Sequence, residues 1–298
     1  MLVDTHCHLN LMVKQQSGQQ PMDNLALTKP QLDAIAPFVH DAQQNDVDTV
    51  LTVGTTLIES LNSIAIAQQY PGVWAIVGIH PSDCTPDWQS TFYEIKKLVN
   101  DAEKNKIVGI GETGLDYYWP NYYKKCQRDS FKAHIELALE YNLALSIHMR
   151  PAKPLLADGL TTPAPDSAQD ELFELLQPYK GQITRGVMHC FCHDKVFAHE
   201  SFALGFDLGI GGVITYPKNS ELRSLVQELP LEKMVLETDA PFLPPQIARG
   251  TQNNPKYIAT IAQFLADLKG TSLSAVAEKT THTAQKIFGE KITEKQLS

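Results

Sequence analysis

Apolar residues in this chain fall into short, nearly continuous runs separated by longer stretches of helical periodicity. Eight runs read as strands: Leu2–Thr5, Thr49–Val53, Trp74–Ile79, Ile107–Gly111, Leu143–Ile147, Thr184–Met188, Phe206–Ile210 and Met234–Leu236. They are apolar throughout rather than alternating, as expected of parallel strands covered on both faces. Between them, Arg128–Asn142 places Phe131, Ile135, Ala138 and Leu139 on one side of a helix. Pro255–Lys269 opens with proline in the first helical turn and stops at Gly270, and Thr271–Phe288 stops at Gly289. Repeated strand–helix alternation predicts an α/β fold, a single (β/α)8 TIM barrel spanning residues 1–298. An open doubly wound sheet is the structural competitor, but the chain has neither a glycine-rich dinucleotide fingerprint nor a Walker motif.

Two segments break the rhythm. Leu11–Pro30 is polar, glutamine-rich and weakly patterned, and Pro151–Asp170 is rich in Pro, Ala, Thr and Asp. Both follow strands, so both are expected as loop insertions on the face that carries function in such a barrel.

Composition narrows the picture. With 298 residues and 43% hydrophobic content, the chain has enough apolar material for one large core. A net charge of −9 argues against a basic coat for nucleic acid, although bound divalent cations would reverse the sign inside an acidic cleft. Five cysteines in a chain of this length do not form a disulfide framework. Asp4 interrupts the apolar lead before a signal sequence could develop, and no run is long enough to span a membrane. A reducing cytoplasm is the expected location, with no membrane attachment and no obligatory protein partner.

Chemistry collects where the strands end. The first ends in Asp4, His6 and His8, the third in His80, the fourth in Glu112, the fifth in His148 and Arg150, the sixth in His189 and the eighth in Asp239. In a parallel barrel these ends converge on one mouth. Residues two apart on a strand share a face, so His6 and His8 should point together into the mouth with Asp4 below them, and Cys7 away. Burying the imidazoles of His6, His8, His148 and His189 with the carboxylates of Glu112 and Asp239 without a metal would leave costly unsatisfied groups. The ligand mixture suits a borderline divalent ion, with Mg, Mn and Zn as candidates. Six ligands exceed what one catalytic ion takes, so two ions sharing a carboxylate, about 4 Å apart at most, fit better.

These residues carry a resemblance. The chain is similar to the TatD family of metal-dependent deoxyribonucleases, within the amidohydrolase-like barrels. D-T-H-C-H, G-I-H-P, G-E-T-G-L-D, the H-M-R strand end, M-H-C-F, G-G-V-I-T-Y and L-E-T-D-A-P-F-L-P-P occur in the family's order over nearly the whole length. The resemblance implies that His6 and His8 hold one ion, with Asp239 completing it. It implies that Glu112 bridges to a second ion held by His148 and His189. Asp239 would orient or deprotonate the attacking water, so Glu112 and Asp239 are the implied catalytic carboxylates. The implied reaction is hydrolysis of DNA phosphodiester bonds, from a 3′ end and on single-stranded or 3′-terminal substrate. The chain departs from the family at Met149-Arg150-Pro151, and where a family lysine gives way to Thr251 after Arg249-Gly250.

Other residues carry weaker signals. Arg150 and Arg249 are candidate phosphate contacts, because guanidinium forks match phosphate oxygens. His80 and Asn254, also at the mouth, join them as candidate substrate contacts. Tyr117, Tyr118 and Trp119 follow G-L-D and either stack on unpaired bases or cap the rim. In H-C-F-C-H, strand alternation turns Cys190 and Cys192 away from His189, which predicts small buried hydrophobes rather than ligands. His40, His134, His193, His199 and His282 show no convergent pattern and read as surface or packing residues. The alternatives within the same barrel are an amidohydrolase acting on a small amide or lactone, and a phosphoesterase of the histidinol-phosphatase type, which also opens with H-x-H. The alternative of another class is a metal-binding scaffold without catalysis.

Overall fold

The computed structural model describes residues 1–20, 23–119, 121–152, 155–157, 160–162 and 167–294. Among them ten strands form: β1 (Leu2–Cys7), β2 (Val47–Val53), β3 (Val73–Val77), β4 (Ile107–Asp116), β5 (Ala144–Arg150), β6 (Leu155–Ala157), β7 (Leu160–Thr162), β8 (Gly186–Met188), β9 (Asp207–Ile210) and β10 (Met234–Leu236). Eight of them pair in the order β1-β2-β3-β4-β5-β8-β9-β10, every pair parallel. The order follows the chain without reversal, which excludes the doubly wound alternative. Hydrogen bonds bring the two ends of this sheet together. Thr5 Oγ1 donates to the Leu236 carbonyl (2.9 Å), the Asp239 amide to the His6 carbonyl (2.8 Å) and the His8 amide to the Ala240 carbonyl (2.6 Å). Asp4 ties the same seam by accepting from the Thr238 amide (2.9 Å) and hydroxyl (2.6 Å). The result is the nearly closed (β/α)8 barrel predicted from the alternation.

The strand ends differ from the apolar runs in an informative way. β1, β4 and β5 continue to Cys7, Asp116 and Arg150, beyond the hydrophobic stretches that mark them in sequence. The extensions mix mouth-facing polar residues such as His6, Glu112 and His148 with buried Cys7, Leu115 and Met149, so a search for continuous apolar runs stops short of them.

The core is layered. Val3, Leu51, Ile76, Val108, Val187 and Val235 pack inside the barrel, and Ile287 and Phe288 join that cluster from the helix Leu273–Phe288, closing its floor. The larger cluster lies between strands and surrounding helices. Helix limits follow cap chemistry. The predicted Thr271–Phe288 helix starts at Leu273 because the Ser272 hydroxyl accepts from the Ala275 amide at 3.1 Å. The helix expected over Arg128–Asn142 starts a turn earlier, at Lys124, and Asn142 caps its end with φ 50°.

The expected insertion at Leu11–Pro30 needs correction. Its first part belongs to the helix Leu9–Gln16, which buries Leu9, Leu11, Met12 and Val13 together with Asn10 and Lys14. The polar composition conceals this, because the buried polar groups are paired. Lys14 Nζ forms an ion pair with Glu59 and donates to the Asp23 carbonyl at 2.6 Å. Asn10 and Asn62 donate to the other Glu59 oxygen at 2.5 and 3.1 Å. Pro21 and Met22 lie outside the described residues. Much of the second expected insertion, Pro151–Asp170, also lies outside them, and the described part contains the antiparallel β6–β7 hairpin.

The Lys14–Glu59 pair generates a stability prediction. Lys14→Ala leaves a buried carboxylate without its cation and should cost about 3–5 kcal/mol in urea unfolding. The double variant Lys14→Met, Glu59→Leu should recover only part of that loss, because it removes the unpaired charge but leaves the buried Asn10 and Asn62 amides without their shared acceptor. A Lys14→Ala loss below roughly 1 kcal/mol would show that the pair does not anchor this segment.

Candidate metal centre

The side chain at the centre is Glu112. Its carboxylate is buried and has five imidazoles around it. Oε2 lies 3.3 Å from His6 Nε2 and 3.7 Å from His8 Nε2. Oε1 lies 2.8 Å from His148 Nδ1, 3.6 Å from His80 Nε2 and 3.7 Å from His189 Nε2. Glu112 is delivered by an irregularity in β4, whose register against β5 shifts between Ile110 and Thr113. A bulge of this kind re-aims a side chain. Gly114 makes the local packing possible: φ is 140°, and a Cβ there would sit 2.0 Å from the His148 carbonyl oxygen.

Three imidazoles are held from behind. His8 Nδ1 lies 3.0 Å from the Val53 carbonyl, His6 Nδ1 3.2 Å from Ser146 Oγ and His189 Nδ1 3.1 Å from Glu237 Oε1. A proton held at Nδ1 leaves the Nε2 lone pair free, the arrangement found behind metal-binding histidines. All three Nε2 atoms face Glu112, and those of His8 and His189 also face Asp239 Oδ1, at 3.4 and 3.9 Å. His6 Nε2 is buried with no hydrogen-bond partner. An orphan lone pair turned toward carboxylates suits a cation between them, and the donor set fits divalent ions. Ligand atoms lie within 4.8 Å of one another in the groups His6–His8–Glu112 and Glu112–His148–His189. Asp239 falls into such a group with His189 and Cys190. Its φ of 56° puts it in the left-handed region, where its amide reaches back to β1.

The charges bear out this crowding. Burial opposes ionisation of Glu112, but His80, His6, His148 and His189 overcome it and hold the carboxyl well below its usual range. Burial pushes His80 down to about 4. Because its Nδ1 accepts from the Ser82 amide at 3.0 Å, a neutral His80 carries its proton on Nε2, facing the centre. Burial also disfavours charge on His148, yet its hydrogen bonds to Asp116 and Glu112 raise it to about 9.

Two carboxylates escaped the sequence reading. Asp116 Oδ2 lies 3.2 Å from His148 Nε2, and Glu237 backs His189. Both had a signal: Glu112 and Asp116, like Glu237 and Asp239, are an even number of residues apart at strand ends. His134 also does more than fill space. Its Nε2 accepts from the Ile79 amide at 3.1 Å and its Nδ1 bonds the Ser130 carbonyl at 2.7 Å, fixing the backbone next to His80.

Other expected positions fall less centrally. The Arg150 guanidinium lies 3.6 Å from the centre of the Tyr118 ring, and that of exposed Arg249 lies 4.6 Å from the centre of Tyr216. Asn254 is buried, and its Oδ1 accepts from the Lys256 amide at 3.0 Å as a helix cap. Of the three aromatics, Tyr117 is buried and donates to Glu171 at 2.5 Å, while Trp119 is half exposed. The cysteine expectation is corrected. β8 ends at Met188 and Cys190 has φ 53°, so strand alternation no longer applies there. Cys190 Sγ lies beside His189 and Asp239, and Cys192 is exposed rather than buried.

Comparison with known proteins fits this geometry. The profile described as TatD related DNase matches residues 3–289. This chain belongs to the TatD related DNase family. TatD-family relatives at similar identity carry two kinds of name. The Escherichia coli K12 protein named uncharacterized metal-dependent hydrolase YcfH is 31% identical, over 96% of this chain and 95% of its own. The protein of Pectobacterium parmentieri named 3′-5′ ssDNA/RNA exonuclease TatD is 30% identical, over 83% of this chain and 90% of its own. Among solved structures, the TatD homolog YJJV of Escherichia coli K12 shares the fold with a TM-score of 0.80 at 24% identity, covering 96% of this chain and 97% of its own. The chain is a metal-dependent hydrolase of the TatD family. No described helix is long and apolar enough to cross a membrane.

The Asp116–His148 contact can be tested in metal-free protein. Asp116→Asn removes the foremost group raising His148, so the imidazole should titrate well below its present value of about 9 when followed by NMR. An unchanged His148 titration would mean that Asp116 does not face it in solution.

Proposed function

We propose that this chain hydrolyses phosphodiester bonds of DNA as a 3′-5′ exonuclease, with single strands or 3′ ends as substrate. The observation that carries the reading is the convergence of His6, His8 and His189 Nε2 on Glu112, with the His6 lone pair left without a partner. Two divalent ions, of the Mg, Mn or Zn kind, suit this donor set. His6, His8 and Asp239 would hold one, His148 and His189 the other, with Glu112 bridging. Bound there, such ions supply Lewis-acid charge and make water acidic enough to attack at neutral pH.

The chain's own groups do the rest. Asp239, on the mouth side of His8, orients the attacking water and accepts its proton. His80 Nε2–H is a neutral donor facing the centre, suited to a phosphoryl oxygen. Val53, Ser146, Glu237 and Asp116 fix the imidazoles, so little reorganisation remains for the reaction. Arg150 and Arg249, each lying over a tyrosine ring, are cations suited to flanking phosphates. Asn254 is assigned the lesser role of shaping the loop after Asp239, since its side-chain oxygen is engaged. The name of the Pectobacterium relative supports a nucleic-acid substrate. Over its whole length the chain acts as one hydrolase domain.

The deciding experiment strips the protein of metal, reloads it ion by ion, and follows end-labelled single-stranded DNA. Stepwise shortening from the 3′ end is expected. Faster hydrolysis of amides or lactones than of any DNA would favour the amidohydrolase alternative. Glu112→Gln should keep the fold, lose bound metal and slow turnover by more than about a hundredfold. A variant with normal metal content and rate would remove Glu112 from the centre.

Substrate contacts call for a separate test. Arg249→Ala should weaken DNA cleavage roughly tenfold, the worth of one charge-assisted hydrogen bond. Metal content and hydrolysis of a nitrophenyl phosphodiester, which has no flanking phosphates, should hardly change. Added salt should weaken DNA cleavage with a shallow slope, because few phosphates are contacted. Normal DNA cleavage by Arg249→Ala would remove that arginine from the substrate path.

A further inference from the structure

Cys190 and Cys192 stand apart from the other three cysteines. Cys7 and Cys84 are buried in the core, and Cys126 lies partly covered in the helix Lys124–Tyr141. Cys192 is exposed, and Cys190 lies half-buried two residues before it. The backbone under them is fixed. The Phe191 amide donates to the Gly209 carbonyl at 2.9 Å, and the Phe191 side chain is buried. The Cys190 amide donates to Glu237 Oε1 at 2.6 Å, the same oxygen that lies 3.1 Å from His189 Nδ1.

We propose that Cys190 and Cys192 form a reversible thiol–disulfide couple, a modification site linked to His189 through Glu237. The oxidant is a low-molecular-weight disulfide. Cys192, the accessible sulfur, attacks as a thiolate, forms a mixed disulfide and expels one small thiolate. Cys190, two residues before it, then attacks the Cys192 sulfur and expels the second. Two electrons pass from the protein sulfurs to the reagent. The two protons given up by the cysteines end on the two small thiols or on solvent. Two residues span at most about 7 Å of chain, so closing the bond is a local event. Movement of the Cys190 amide then bears on Glu237, and through it on the His189 ring. The C-x-C pair, whose Cys190 sulfur lies beside His189 and Asp239, therefore couples the redox state of small thiols to the centre.

The test uses the full chain equilibrated in buffers of oxidised and reduced glutathione. Tandem mass spectrometry should find a peptide holding both Cys190 and Cys192 that is lighter by two hydrogens, and dithiothreitol should restore it. Two of the five thiols should be lost together. The NMR signals of the His189 ring should move with the same midpoint. Cys192→Ser should abolish both changes. Cys190→Ala should trap Cys192 as a stable glutathione adduct, because the resolving thiol is gone. The proposal is overturned by any of three outcomes: a persistent adduct on Cys192 in the wild type, pairing with Cys7, Cys84 or Cys126, or a closed disulfide that leaves the His189 signals where they were.

Discussion

A carboxylate with almost no water around it, facing five imidazoles, is the contact on which the rest of this structure depends. Glu112 is only 4% exposed. A lone ion there would be expelled or neutralised. The chain keeps it ionised by spending the ends of four other strand segments on imidazoles: His6 and His8 after β1, His80 after β3, His148 in β5 and His189 after β8. This requirement shapes the backbone. β4 shifts register to aim Glu112, Gly114 lets β5 come close, and β1 shifts register between Asp4 and Cys7, where His6 is placed. The barrel seam serves the same end, because its bonds from the Asp239 amide to His6 and from the His8 amide to Ala240 also position residues of the centre. Closing the barrel and assembling the centre are therefore one event.

Each imidazole needs something behind it, and the supports come from different sources. His8 leans on a backbone carbonyl, His6 on the hydroxyl of Ser146, and His189 and His148 on Glu237 and Asp116. The carboxylate-backed histidines are those that carry charge most readily, raised to about 10 for His189 and about 9 for His148 against the cost of burial. His80 has no such support; its Nδ1 is an acceptor, and burial leaves it neutral. The same side chain is thus basic in one position and neutral in another, according to what stands behind it.

How much of this could be read from the sequence depended on whether a local rule still held at each residue. The barrel was legible because parallel strands are apolar on both faces, and strand–helix alternation survives loop variation. His6 and His8 were legible because their strand stays extended almost to its end. Cys190 was misplaced because the period-two rule was carried two residues past Met188 into a left-handed residue. Asp116 and Glu237 were passed over because attention went to the first acid of each motif and not to its neighbour of equal parity. The helix Leu9–Gln16 was hidden for another reason: Asn10 and Lys14 look solvent-facing by composition, and only the position of Glu59 on a distant helix makes their burial tolerable.

The charge balance has a consequence for substrate binding. The chain carries a net −9, and Glu112, Asp116, Glu237 and Asp239 all lie at or just behind the mouth. A phosphodiester approaching those carboxylates alone meets repulsion that Arg150 and Arg249, at the margins, do little to offset. A divalent cation held there would bring two positive charges to the midst of the acids and invert the local field. On the function proposed above, affinity for a polyanion would be conditional on metal, and the ions that make water acidic would also admit the substrate. An acidic surface is therefore compatible with the proposed nucleic-acid substrate. Such a surface suppresses indiscriminate binding along a polyanion, and attraction is confined to the mouth where the chemistry lies.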